Sequence, residues 1–318
     1  MTTDYQLIII GGGPAGAAAG VYAARKQIKT LLITDSWGGQ STESVGIQNW
    51  IGTVEISGID FGKSLREHVK HYAGNFVDIK DSEKVESILP SPSQGEGQGV
   101  RSFKVRTSKG EYVSRAVLIA TGSTRRKLDI PGAKEYENKG IVYCASCDGP
   151  LYAGQDVAVI GGGNAGFESA SQLLAYCNSV TLLNRSETFR ADPITVEAIR
   201  KNPKMTILEN SIPTEVRGDQ FVSALKYKNT KTGEEKELPV TGVFVEIGLI
   251  PTTWFAEKSG VEMNEIKQIK VDPRNQRTSV EGIWAAGDCT DGLFHQNNIA
   301  AGDAVKALED IYQELAKK

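Results

Sequence analysis

Ile10-Gly11-Gly12-Gly13-Pro14-Ala15-Gly16 ends a short apolar run at residues 5–10 and opens an alanine-rich stretch that reaches about residue 26. The run has the length and β-branched composition of a buried parallel strand, and the stretch behind it reads as a helix. In a G-x-G-x-x-G turn of this kind, Gly11 permits the tight turn, Gly13 lets backbone approach a pyrophosphate, and Gly16 lets helix pack close to strand. The helix N-terminus that follows Pro14 offers free N–H groups to the phosphates. A second strand at residues 30–34 completes a βαβ unit, and the whole predicts a dinucleotide site. The acid usual at the end of that strand is missing, since Thr34 holds the place with Asp35 beside it.

The same pattern returns further on. A buried strand at residues 156–160 meets Gly161-Gly162-Gly163-Asn164-Ala165-Gly166, a helix over about 167–176 and a strand at 180–184. Thr34 and Asn184 stand at equal distances from the first glycine of their turns, so the chain holds two copies of one nucleotide-binding unit. After each copy come short alternating segments: 84–89, 102–107 and 111–113 in the first, with a hairpin tip at 90–99, and several over 205–245 in the second. Residues 116–119 read as a further strand ending in Ala120-Thr121-Gly122. The basic run Thr124-Arg125-Arg126-Lys127 suits a boundary or a solvated linker, and Leu249-Ile250-Pro251 a return linker. Trp37-Gly38-Gly39-Gln40 and Asn49-Trp50-Ile51-Gly52 read as turns. The helix at about 61–73 carries His68 and His71, which read as surface residues. A strand over 278–288 ends in Gly287-Asp288, where the acid suits a ribityl or ribose hydroxyl or a helix cap. An amphipathic helix over about 299–315 follows.

Before the second copy stands Val142-Tyr143-Cys144-Ala145-Ser146-Cys147-Asp148-Gly149-Pro150. A Cys-x-x-Cys pair closes a small disulfide ring, and an adjoining acid manages the proton that ring opening takes up. The spacing also suits half of a structural zinc site, but such a site needs about four ligands. Cys177 and Cys289 form no second pair, so the reading is a redox disulfide with no metal. The two remaining cysteines, and the four tryptophans, read as packing residues.

With 318 residues the chain suits two domains, and its net charge of −3 gives no pull toward nucleic acid or an anionic membrane. The start, Met1-Thr2-Thr3-Asp4-Tyr5, lacks a basic leader, and the expectation is a cytoplasmic protein without a membrane span.

The residues resemble the low-molecular-weight thioredoxin reductases end to end. Gly-Gly-Gly-Pro-Ala-Gly at 11–16, Gly-Gly-Gln at 38–40, Ala-Thr-Gly at 120–122 and Cys-x-x-Cys-Asp at 144–148 come in the family's order, followed by Gly-Gly-Gly-Asn at 161–164, Phe-Val-x-Ile-Gly at 244–248 and Ala-Ala-Gly-Asp at 285–288. Tyr-Cys-x-x-Cys-Asp-Gly-Pro-Leu at 143–151 also resembles the reductase portion of the alkyl hydroperoxide reductase flavoprotein. The resemblance implies an α/β protein of two Rossmann-like three-layer nucleotide-binding domains, the second inserted into the first. FAD would lie on residues 1–122 with 250–318, and NAD(P)H on 125–247, which carry the disulfide. It further implies a homodimer, rotation of one domain against the other, and transfer of electrons from NAD(P)H through FAD to Cys147. Asp148 would then handle the proton, and Cys144 would attack the disulfide of a thioredoxin- or glutaredoxin-like protein. Because the chain starts at the FAD strand, that acceptor is expected to be a separate protein. The FAD residues implied are Gly11, Gly13, Pro14, Ala15, Gly16, Thr34, Asp35, Gly39, Gln40, Asn49, Ala120, Thr121, Gly122, Gly287, Asp288, His295, Gln296 and Asn297. Those for NAD(P)H are Gly161, Gly163, Asn164, Ala165, Gly166, Glu168, Asn184, Arg185 and Arg190.

Departures from the family pattern lie at the nicotinamide end. In Asn184-Arg185-Ser186-Glu187-Thr188-Phe189-Arg190 two of the three arginine positions that clamp a 2′-phosphate survive, Ser186 replaces the middle one, and Glu187 opposes a phosphate. Losing one guanidinium removes about 1.5–3 kcal/mol. Asn184, in turn, is not the acid that favours NADH. NADPH is the expected donor, with NADH or a reduced ferredoxin as alternatives, the latter two in the service of a peroxiredoxin system. Nearer the flavin, His295 stands where the family has a basic residue before glutamine. A ferredoxin- or quinone-reducing flavoprotein and a non-catalytic redox sensor are the competing classes, disfavoured by the cysteine pair and by Asp148 respectively.

Overall fold

The computed structural model describes residues 4–44, 46–91 and 102–317. The first sheet starts with β1 (Asp4–Gly12), α1 (Pro14–Arg25), β2 (Thr30–Trp37), α2 (Gly58–Ala73) and β3 (Val77–Asp81), then continues through β4 (Val85–Ser91), β5 (Ser102–Thr107) and β6 (Glu111–Ile119). β1 is apolar from Leu7 to Ile10 because both of its faces are covered there. Leu7 and Ile9 pack with Ala19, Val21, Phe61 and Val69 of α1 and α2, whereas Ile8 and Ile10 pack on the other side with Phe103, Val105 and Phe255. The alanines of α1 serve close helix packing: a Cβ on Gly20 would already sit 3.0 Å from Leu32 and 3.2 Å from Val69.

The chain then crosses to a second sheet through β7 (Ser123–Arg125). There it forms β8 (Ile141–Val142), α3 (Ala145–Asp148), β9 (Asp156–Ile160), α4 (Asn164–Leu173), β10 (Ser179–Leu183), α5 (Pro193–Arg200) and β11 (Met205–Leu208). A separate antiparallel sheet of β12 (Ser211–Gly218), β13 (Val222–Asn229) and β14 (Glu235–Pro239) precedes β15 (Gly242–Val245). The return is made by β16 (Leu249–Pro251), which pairs antiparallel with β7, so the two chain crossings form one short ribbon. β17 (Ile283–Ala285) rejoins the first sheet on β6, and α6 (Asn297–Ala316) packs beside α1.

The duplication read from sequence is visible in the topology. The parallel part of the first sheet runs β3-β2-β1-β6-β17, and the second sheet runs β11-β10-β9-β15-β8. The turn glycines repeat each other's contacts. A Cβ on Gly16 would lie 1.9 Å from the Gly11 carbonyl oxygen, and one on Gly166 the same 1.9 Å from that of Gly161. Gly11 (φ +121) and Gly161 (φ +131) press equally on the carbonyl oxygens of Ala120 and Glu246, each 2.2 Å from a would-be Cβ. The fold is α/β with two three-layer nucleotide-binding units.

Two expectations need correction, and one strand has no counterpart among them. Residues 111–113 and 116–119 form one strand, β6, because its first half pairs with β5 and its second half with β1 and β17. β3 is a strand that the sequence does not announce, since the lone alternation of Val77 and Ile79 is too short to register as periodic. The strand expected over 278–288 is regular only at Ile283–Ala285, with an isolated bridge from Arg277 to Trp284. Most of the hairpin tip at 90–99 lies outside the described residues.

The glycine contacts give a paired prediction. Gly161→Ala combines a left-handed φ with a backbone clash and should cost at least about 2 kcal/mol in urea unfolding. Gly163→Ala, whose Cβ would meet nothing within 4 Å, should cost less than about 1 kcal/mol. Equal losses would show that the carbonyl contact does not select the glycine.

Candidate functional site

A cleft of about 540 Å³ opens along the carboxyl ends of β1, β2 and β6, within the range of small-molecule sites. Of the residues expected for FAD, Gly11, Gly13, Pro14, Ala15, Thr34, Asp35, Gly39, Gln40, Ala120, Thr121, Gly122, Gly287, Asp288 and Asn297 line it. Gly16 does not; it supports the Gly11 turn from behind. Thr34 donates its hydroxyl to the Ser36 carbonyl at 2.5 Å within β2 and packs against Gly12 of the turn. Asp288 accepts the Gln40 amide at 2.7 Å, while the other atom of that amide, Gln40 Oε1, is buried with no partner among the described residues. Gly13 leaves open space at the helix start.

A smaller pocket of about 90 Å³ adjoins the cleft, sharing Gln40, Ser41, Glu43, Arg125, Asp288 and Asn297 with it. Cys144 and Cys147 line this pocket and are joined in a disulfide. α3 puts them there: the Asp148 amide donates to the Cys144 carbonyl at 2.9 Å, and the Cys147 amide to Cys144 Sγ at 3.2 Å. Asn49, His295 and Gln296 line this pocket rather than the cleft. His295 Nδ1 lies 3.5 Å from Asp288 Oδ1 and is buried without a hydrogen bond.

Asp148 is buried at the pocket wall with the Ser44 hydroxyl 3.4 Å away. Burial pushes its carboxyl up to about 6, against the opposing pull of Ser44 and of the Arg125 guanidinium. An acid poised so near neutrality, beside a disulfide, can give up a proton and recover it.

At the second fingerprint, Gly161, Gly163 and Gly166 repeat the first turn, and Asn164 Oδ1 accepts the Asp192 amide at 2.9 Å. Ala165 and Glu168 are exposed at the start of α4. Asn184 is buried, and its amide donates to the Ser186 and Thr188 carbonyls at 2.8 and 3.0 Å, so its side chain shapes the loop. Arg185 and Arg190 are exposed, and among the described residues neither has an ion-pair partner. Glu187 is held by Lys231 at 2.7 Å, which offsets the charge expected to oppose a phosphate.

Residues 5–304 match the family described as pyridine nucleotide-disulphide oxidoreductase. The chain belongs to that family. It is 38% identical to the NADH dehydrogenase of Bacillus subtilis over 98% of its own length and 59% of the relative's. It is also 38% identical to an alkyl hydroperoxide reductase component of Pseudomonas aeruginosa, over 98% and 58%. The chain therefore spans somewhat over half the length of these curated relatives. Among solved structures, thioredoxin reductase from Giardia duodenalis superposes with a TM-score of 0.89 at 32% identity, covering 99% of this chain and all of that one. The protein is a thioredoxin reductase-like oxidoreductase, an enzyme of a family that uses flavin and pyridine nucleotide.

The cleft fits the family's flavin: the Gly11 turn is a cradle that a Cβ would fill, and Gln40 Oε1 is a buried acceptor without a partner. Sequence reading missed the Glu83-Lys84-Val85 segment, Thr252 and Phe255, all of which line the cleft. Trp254, read as packing, is half exposed at the cleft. Trp50 stacks edge-on against Phe61 at 5.0 Å and lines neither pocket. Arg125, in the run read as a boundary or solvated linker, faces both pockets.

The raised Asp148 carboxyl favours the folded state while protonated. That advantage is complete below the ordinary value of about 3.9 and is lost as pH rises through about 6. Asp148→Asn should therefore raise stability at pH 8 by up to about 2–3 kcal/mol in urea unfolding, with the gain vanishing near pH 4. A gain that did not change with pH would contradict the raised carboxyl.

Proposed function

We propose that the protein is an FAD-dependent disulfide reductase that passes electrons from NAD(P)H through the Cys144–Cys147 pair to a thioredoxin-like protein. The observation that carries this reading is the disulfide opening, with a buried, near-neutral carboxyl beside it, onto the pocket that joins the nucleotide cleft. In this reading residues 1–122 and 250–318 form the FAD unit, and residues 125–247 form the nicotinamide unit. Bound FAD would be held by the Gly11–Gly16 turn, Gln40, Ala120–Gly122 and Asp288, and would supply two-electron redox chemistry next to the disulfide. Two electrons open the ring, and one of the sulfurs released needs a proton, which Asp148 supplies. Cys144, as the thiolate, then attacks the partner's disulfide, giving a mixed disulfide and freeing one partner sulfur as a thiolate that solvent protonates. Cys147 displaces the second partner thiol and closes the ring, while Asp148 takes its proton back.

NADPH is the preferred donor, supported by the unpaired Arg185 and Arg190 and by Lys231, which neutralises Glu187. NADH is the second reading, supported by Ser186 at the middle clamp position. We also take the enzyme to be a homodimer. The loops around Asn49 and Gln296, joined by a 3.1 Å hydrogen bond, present Ile51, Val54, Leu293 and Phe294 to solvent. A single-chain mass by light scattering would overturn that.

The test combines nucleotide and cysteine. Anaerobic titration of the flavin-loaded protein should bleach the flavin at a few equivalents of NADPH and need about tenfold more NADH. Bleaching by neither, but by a reduced ferredoxin, would remove the nicotinamide part of the reading. Cys144→Ser should abolish reduction of a thioredoxin disulfide while leaving reduction of ferricyanide intact. Persistence of thioredoxin reduction in that variant would remove the disulfide part.

A further inference from the structure

Three cations follow one another at Arg125-Arg126-Lys127, and they have different fates. Arg126 is exposed, and Lys127 is engaged at the surface with Glu137 and Glu43. Arg125 is turned inward. Its backbone pairs with Leu249 where the two chain crossings meet, and the residue lines the disulfide pocket with Cys144, Cys147 and Asp148. Its Nη1 also lies 3.7 Å from Glu246 Oε2.

Glu246 is itself out of place by the logic of the duplication. It is the counterpart of Ala120, because each gives the carbonyl oxygen against which its turn glycine is pressed. Where the first unit has a methyl group, the second has a buried carboxyl. Its Oε1 accepts the Ser169 hydroxyl at 2.7 Å, and its Oε2 faces Arg125. Burial raises this carboxyl, while Arg125 and Ser169 favour its ionised form. One guanidinium therefore favours the ionised form of two carboxyls, Glu246 and Asp148, and what it gives to one it withholds from the other.

We propose that Arg125 is a positioning residue shared between Glu246 and Asp148, and that its pairing with Glu246 sets how readily Asp148 releases its proton to the opening disulfide. The inference rests on the role given to Asp148 above. The other charged or titratable groups that face Asp148 are Glu43, Tyr143, Asp288 and His295 around the pocket, and Tyr152 just beyond α3. Of the groups around the pocket, Arg125 is the permanent cation.

The sharing predicts opposite effects from its two ends. Arg125→Ala removes the cation that helps Asp148 to ionise, so the midpoint near pH 6 moves up, by about one unit. Glu246→Gln removes the competing acid, leaves the guanidinium less compensated, and moves the midpoint down. Arg125→Lys keeps a charge at the site and should leave the midpoint within a few tenths of the parent value. The readout is ring opening in the full chain by a small phosphine reductant, followed from pH 4.5 to 8 by quenched alkylation of the cysteines. Dividing each rate by that of the same protein carrying Asp148→Asn isolates the Asp148 contribution. If that ratio is flat with pH in the parent, Asp148 is not the proton donor, and both the mechanism and this inference fall. If the parent shows the midpoint but Arg125→Ala and Glu246→Gln shift it in the same direction or not at all, Arg125 only glues the interface, and this inference alone falls.

Discussion

The constraint that both nucleotide-binding units share is a backbone contact. Each nucleotide-binding unit brings the end of its central strand against a second carbonyl so closely that no side chain fits between them. At Gly11 and Gly161 a Cβ would lie 2.2 Å from the carbonyl oxygens of Ala120 and Glu246. This contact, with the 1.9 Å approach of Gly16 and Gly166 to the same turns, fixes where each first helix starts. The helix start and the adjoining strand ends then define the mouth of each site. Because the two turns repeat each other's geometry, one solution to the packing of helix on strand serves both units.

The Cys144–Cys147 disulfide lies where the two units meet, and the acid beside it is shaped by burial. Cys144 and Cys147 belong to the second sheet's unit, yet they face a pocket completed by Gln40, Asp288 and His295 of the first. Closing this pocket removes water from Asp148, whose carboxyl rises to about 6. Removal of water is costly for a charge, and only Ser44 and Arg125 relieve that cost. The same desolvation raises Glu246 behind the second turn. Arg125 thus occupies the one place where the chain crossing, the disulfide and the second fingerprint come together.

Much of this was legible in the sequence because period, spacing and glycine placement are local. Residues 5–10 and 156–160 announce buried strands, the two fingerprints announce the turns, and Cys144-Ala145-Ser146-Cys147-Asp148 announces the redox centre. The resemblance to thioredoxin reductases supplied order and pairing, and the family match agrees with it. Sequence and structure part where a local pattern has several tertiary uses. Trp254 sits in a stretch with no regular pattern, and nothing in sequence sends it to the cleft rather than to a core. Asn184 has the place of a ligand at a strand end, but the 184–190 loop uses its amide for its own carbonyls.

By itself the sequence determined the class of the molecule: two dinucleotide folds, a disulfide, and an acid next to it. Those features rest on contacts between residues near one another in the chain, which spacing alone encodes. Only the tertiary structure decided which charges matter. Arg125, Arg126 and Lys127 are interchangeable as letters, yet Arg125 alone of the three is turned toward Glu246 and the disulfide pocket. Electrostatic strength depends on distance and on exclusion of water, and both are set by segments far apart in the chain that only the fold brings together.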